Sequence, residues 1–112
     1  MKVELFLCNS EKYTIIIGKD KKDNFQIIDD SVDTDIWFHI YNESSCHVIL
    51  KNEEKISNIP KKVIKRCAYL CKINSKAKYK QKCDVIYTPI SNVIKTEIIG
   101  QVTADSYKIV SV

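Results

Sequence analysis

Two glycines and two prolines are all that 112 residues contain, and the chain has no stretch given over to either. That scarcity excludes fibrous repeats, flexible linkers and low-complexity tails, and a composition 45% hydrophobic and 29% charged excludes intrinsic disorder. No apolar run approaches the roughly 18 residues of a membrane span, and the apolar stretch within Met1 to Ser10 is too short for a signal peptide. A soluble, cytoplasmic protein is expected. The five cysteines (Cys8, Cys46, Cys67, Cys71, Cys83) are odd in number, form no Cys-x-x-Cys pair and fall inside apolar periodic segments. They read as buried free thiols of a reducing compartment, not as a disulfide framework or a zinc site. Phosphate-cradling glycine loops are missing as well. Asp29, Asp30, Asp33 and Asp35 lack the glycine and closing glutamate of a calcium loop. No cofactor and no metal are expected, and residues 1–112 read as one domain.

The basic residues are 17 lysines and one arginine, and their placement is uneven. Residues 1–50 hold 5 Lys against 9 acids (−4), residues 51–83 hold 11 Lys or Arg against 2 acids (+9), and residues 84–112 hold 2 against 3 (−1), which sums to the net +4. Charge concentrated in this way attracts polyanions, so nucleic acid, or an acidic membrane face, becomes the leading partner class. Lysine is a point charge toward phosphate, whereas guanine is normally read by arginine, so a lone Arg66 implies backbone and shape recognition with little sequence discrimination.

Val3 to Cys8 and Tyr13 to Ile17 read as strands joined by a turn at Asn9 to Lys12. Gly18 ends the second, Lys19 to Asp23 is a loop, and Asn24 is expected to cap a short helix near 24–30. Asp29 to Thr34 returns the chain to a strand. Asp35 to Tyr41 and Cys46 to Lys51 read as strands joined by the polar Asn42 to Ser45. Pro60 opens a helix of about 60–75, whose apolar stripe contains Val63, Ile64, Cys67, Ala68 and Cys71 and whose solvent side carries Lys61, Lys62, Lys65 and Arg66. Strands at Cys83 to Thr88, Val93 to Lys95 and within Gly100 to Val112, with a turn near Ala104 to Ser106, complete a largely antiparallel sheet. The fold class is α+β.

Alternation along a strand puts Asp35, Trp37 and His39 on one face and Ile36, Phe38 and Ile40 on the other. The second set is core. The first can stack on unpaired bases through its rings, with Asp35 orienting His39 or accepting from a base edge; equally, Trp37 can be covered by the helix while Asp35 caps a turn. His47 meets His39 only if the hairpin register pairs them, and metal binding would then still need a third ligand such as Asp35 or Cys46. Ser45-Cys46-His47 places neighbours on opposite strand faces, which disfavours nucleophilic catalysis.

In order and spacing, a set of segments resembles the NFACT-R domain, most closely its small eukaryotic branch of coiled-coil domain-containing proteins. They are Tyr13-Thr14, Gly18 to Lys21 with Asn24, Asp35 to His39, Ser44 to Val48, Ile59 to Val63, Cys67-Ala68, Asn74-Ser75, Val85 to Pro89, Ser91-Asn92, Lys95-Thr96, Gly100-Gln101 and Lys108 to Val110. The resemblance implies an RNA-binding, or more broadly nucleic-acid-binding, module without an attached catalytic activity. In larger proteins of that kind it accompanies ribosome-associated quality control and contact with tRNA and ribosome. This chain departs from many members at Lys19, Ser45 and Thr96, and without that branch's long helical tail no coiled-coil partnering is expected. The expected nucleic-acid contacts are Lys19, Lys21, Lys22, Asn24, Asp35, Trp37, His39, His47, Lys61, Lys62, Lys65, Arg66 and Lys95, with RNA favoured over DNA and no catalytic residue. The alternatives are an enzyme acting on nucleic acid through His39, His47 and Asp35, and a protein-interaction module docked through a sheet edge.

Overall fold

The computed structural model describes residues 1–112. Strands β1 (Lys2–Cys8) and β2 (Glu11–Ile17) form a hairpin around Asn9 and Ser10, both with positive φ (52° and 65°), the backbone of a tight two-residue turn. Helix α1 (Lys21–Asp29) follows. It starts one turn earlier than expected because Asp20, not Asn24, is the N-cap: its side chain accepts from the Asp23 backbone N–H at 2.9 Å. Asp29 to Thr34 carries no strand and leads by a turn into β3 (Ile36–Ile40), which precedes β4 (Val48–Leu50). Helix α2 (Lys61–Ile73) begins directly after Pro60 and ends at Asn74. Strands β5 (Asp84–Pro89), β6 (Val93–Lys95), β7 (Val102–Ala104) and β8 (Lys108–Ser111) close the chain. The α+β reading with a mostly antiparallel sheet holds.

Six strands form one sheet in the order β1-β2-β4-β3-β5-β8, every neighbour antiparallel, and β6 and β7 pair separately as a small hairpin. Period-two alternation divides β3 between the two faces of this sheet. Ile36, Phe38 and Ile40 point toward α2, whose Val63, Ile64, Cys67, Ala68, Leu70 and Cys71 complete the larger core. Trp37 points the other way, into a smaller core with Ile27 of α1, Ile49 and Ile90, flanked by Val93, Val102 and Ala104. The middle of the sheet is therefore covered on both faces, by α2 on one and by α1 with the β6–β7 hairpin on the other, while Val3, Leu5 and Leu7 of β1 stay exposed. This layering decides which polar residues can share a site. All five cysteines are unpaired and buried, and no helix is long and apolar enough to cross a membrane.

Candidate nucleic-acid interface

The β3–β4 register runs Ile36↔Leu50, Trp37↔Ile49 and Phe38↔Val48, so the next position sets His39 against His47. Their rings meet edge to face with centroids 5.1 Å apart. Trp37 completes the cluster: it stacks on His39 at 5.5 Å with 17° between planes, and its indole N–H donates to His47 Nδ1 at 3.2 Å. The direct pairing of the two histidines thus occurs, yet no third His, Cys, Asp or Glu joins them.

Burial governs the charge of both imidazoles. His47 is 1% exposed, and desolvation, reinforced by the nearby His39 and opposed by the Gly100 carbonyl, pushes its pKa down to about 3. Desolvation also lowers His39, against a hydrogen bond with the Ile40 carbonyl. Near neutral pH the cluster carries no charge, and because its ring N–H groups are bonded within the chain it offers the cleft a lone pair, not a cation.

A cleft of about 700 Å³ opens over this cluster. Trp37, His39, Ile86 and the buried Asn24 of α1 line its floor, Asn42 to Ser45 and Lys21 its sides, and Ile98 to Val102 its roof. The roof is held down at Gly100, where φ is +83° and an added Cβ would lie 3.0 Å from Lys21 Cβ. The turn Ile98-Ile99-Gly100 and Tyr107 were missed as site residues by sequence reasoning, although two adjacent isoleucines before a glycine in a hairpin loop are the kind of exposed apolar signal that marks a binding edge.

Several expected contacts are occupied elsewhere. Trp37, 2% exposed, is covered by α1 and the β6–β7 hairpin, so it cannot stack on a base itself and instead supports His39. Asp35, 1% exposed, accepts from the backbone N–H groups of Val32 (3.0 Å) and Asn52 (2.9 Å) and pairs with Lys51. It ties a turn to the end of β4, so the Asp35–His39–His47 set of the enzymatic alternative is not assembled. Asn24 lies inside α1, 7% exposed, and its Oδ1 accepts from the His47 backbone N–H at 3.1 Å. Gly18 permits that bond, because a Cβ there would sit 2.3 Å from Asn24 Oδ1. Arg66 is held by Glu4 through two bonds of 2.8 and 2.6 Å and lies over the rings of Phe6 and Tyr69, while Lys95 pairs with Asp29 beside Phe25.

The exposed lysines split into two groups. Lys19, Lys21 and Lys22 are exposed around the start of α1 without a carboxylate partner, and Lys21 among them lines the cleft. Lys61, Lys62 and Lys65 are likewise exposed and unpaired, but on α2, against the opposite face of the sheet. Expected together in one set of nucleic-acid contacts, these helix lysines and Trp37 lie against opposite faces: charge contiguous in sequence is separated from the ring cluster by the sheet.

A two-faced antiparallel sheet with a neutral, ring-floored cleft and the unpaired Lys21 in its lining defines a small α+β module with one candidate binding cleft. The NFACT protein RNA binding domain family matches over residues 2–105, and the chain belongs to that family. It is 47% identical over 91 residues to the mouse (Mus musculus) coiled-coil domain-containing protein 25, covering 79% of this chain and 44% of that one. To protein JLP2 of Saccharomyces cerevisiae it is 37% identical over 107 residues, 88% of this chain and 51% of that one. The chain therefore spans about half the length of the curated relatives it matches. The C-terminal part of the fibronectin/fibrinogen-binding protein from Streptococcus suis shares the fold, with a TM-score of 0.85 at 23% identity, covering 100% of this chain and 45% of that chain.

Proposed function

We propose that this chain is an RNA-binding module that acts by recognition, not catalysis, and that its RNA-facing side is the cleft face. The observation that carries this reading is the meeting, at one cleft, of the His39–His47–Trp37 cluster with the unpaired Lys21, beside Lys19 and Lys22, in a chain of an RNA-binding family. The lysines take phosphate as point charges, and the neutral floor takes the parts of a nucleotide that carry none. Lys61, Lys62 and Lys65 form a second field on the far face, suited to the long reach of a folded RNA. tRNA or ribosomal RNA is the proposed target class, with a role at the ribosome in translation quality control. Five unpaired thiols support a cytoplasmic, reducing setting.

Salt titration tests the reading. With about four phosphate contacts on single-stranded RNA, log affinity falls with log salt at a slope of about −3. Replacing Lys19, Lys21 and Lys22 together with Ala should remove most of that slope for a short single strand, and replacing Lys61, Lys62 and Lys65 should change it little. A flat salt dependence of the parent protein, or equal losses from both sets, overturns the assignment of the cleft face.

A further inference from the structure

We propose that the cleft takes one unpaired nucleobase by its hydrogen-bonding edge, with Asn24 Nδ2 donating and His39 Nε2 accepting. This deepens the RNA-binding reading and rests on it. Two bonds within the chain set the polarity of the floor. Because Asn24 Oδ1 is committed to the His47 backbone N–H, the other end of the same amide, a donor, is left over. It has no partner in the chain although the residue is 93% buried by its 7% exposure. His39 Nδ1 lies 2.7 Å from the Ile40 carbonyl, so that nitrogen carries the hydrogen and Nε2 keeps a bare lone pair. No fully buried side-chain nitrogen or oxygen in the chain lacks a partner, which means that both of these atoms are reached by solvent, and both residues line the cleft.

The chemistry of the occupant follows. A neutral imidazole whose free nitrogen only accepts cannot bind a phosphate oxygen or a carboxylate, which are acceptors too. The apolar side chains of Ile86, Ile98 and Ile99 favour a flat ring over a hydrated anion, and the half-exposed Tyr107 at the rim offers a stacking surface. The volume, about 700 Å³, lies within the range of small-molecule sites. Each of the four RNA bases presents a donor beside an acceptor on its Watson–Crick edge, so one donor and one acceptor on the floor can serve any of them. A paired base has already spent that edge. The cleft therefore selects loops, bulges and ends, with little sequence preference.

The experiment compares three single-stranded RNA 10-mers with the same number of phosphates: oligouridine, oligo-N3-methyluridine, in which a methyl replaces the edge donor, and an abasic ribose-phosphate strand. Trp37 is the sole tryptophan and stacks on His39, so its fluorescence reports occupancy alongside anisotropy. Oligouridine should bind at least about fivefold more tightly than either other strand, the worth of roughly one hydrogen bond. His39→Phe should bring oligouridine to the level of the methylated strand, and His39→Gln, which restores an acceptor, should recover part of the difference. Equal affinity of the unvaried protein for oligouridine and either other strand overturns the base pocket while leaving RNA binding in place. Discrimination that persists in a folded His39→Phe variant overturns the assignment to His39. Failure of all three strands to bind overturns the RNA-binding reading and this inference with it.

Discussion

Acid should loosen this protein well before its carboxylates protonate, and His47 is the reason. The side chain is enclosed as a neutral imidazole that accepts from the Trp37 indole at 3.2 Å, with a pKa of about 3 against 6.5 for the free side chain. A histidine whose pKa is lower folded than unfolded binds fewer protons in the native state. Its contribution is thus fully present above about pH 6.5 and is lost as pH falls toward 3. Between about pH 7.5 and pH 5, one such group costs about 2 kcal/mol, from ~1.4 kcal/mol per pH unit over the ~1.5 units below the unfolded pKa. His39, also lowered by burial, adds in the same direction. The assay is urea unfolding followed by Trp37 fluorescence at both pH values. His47→Gln, which can still accept from the indole, should be less stable at neutral pH but should lose most of the pH slope in that window. A parent protein whose unfolding free energy changes by less than about 0.5 kcal/mol over the window would refute the account of His47 as a buried neutral group.

Asp35→Ala should destabilise by about 3 kcal/mol, because it strands two buried backbone donors and the Lys51 ammonium, yet leave RNA affinity of the folded protein unchanged. Loss of affinity in a fully folded variant would return Asp35 to the interface. Gly18→Ala should cost about 1–3 kcal/mol, since the new methyl overlaps Asn24 Oδ1 and forces it off the His47 N–H. Thermal or urea unfolding checks the cost, and oligouridine binding should weaken in parallel if Asn24 is the donor at the cleft floor.

Much of the architecture is legible in the residues themselves. Alternation along Asp35 to Ile40 assigns Phe38 and its neighbours to a core, and the 3.6-residue spacing after Pro60 marks α2 and its apolar stripe, because both patterns depend only on local backbone geometry. The same local rules failed where a competing residue capped first. Asp20 with Asp23 starts α1 a turn ahead of Asn24, which frees the Asn24 amide to brace His47. The turn at Ile98 to Gly100 is legible only as an exposed apolar loop, since its place in the site comes from packing against Lys21.

The sequence by itself determined two faces for β3, a cationic helix, a family and a pair of histidines able to meet. Only the tertiary structure decided that they do meet, that the sheet is covered on both faces at β3 so that Trp37 is buried, and that α2 sits across the sheet from the ring cluster. The physical reason is that side-chain direction is a local property of the strand, whereas solvation and charge proximity depend on which elements pack over each face. That is set by the strand order β1-β2-β4-β3-β5-β8, a long-range pairing not written in any short stretch of chain.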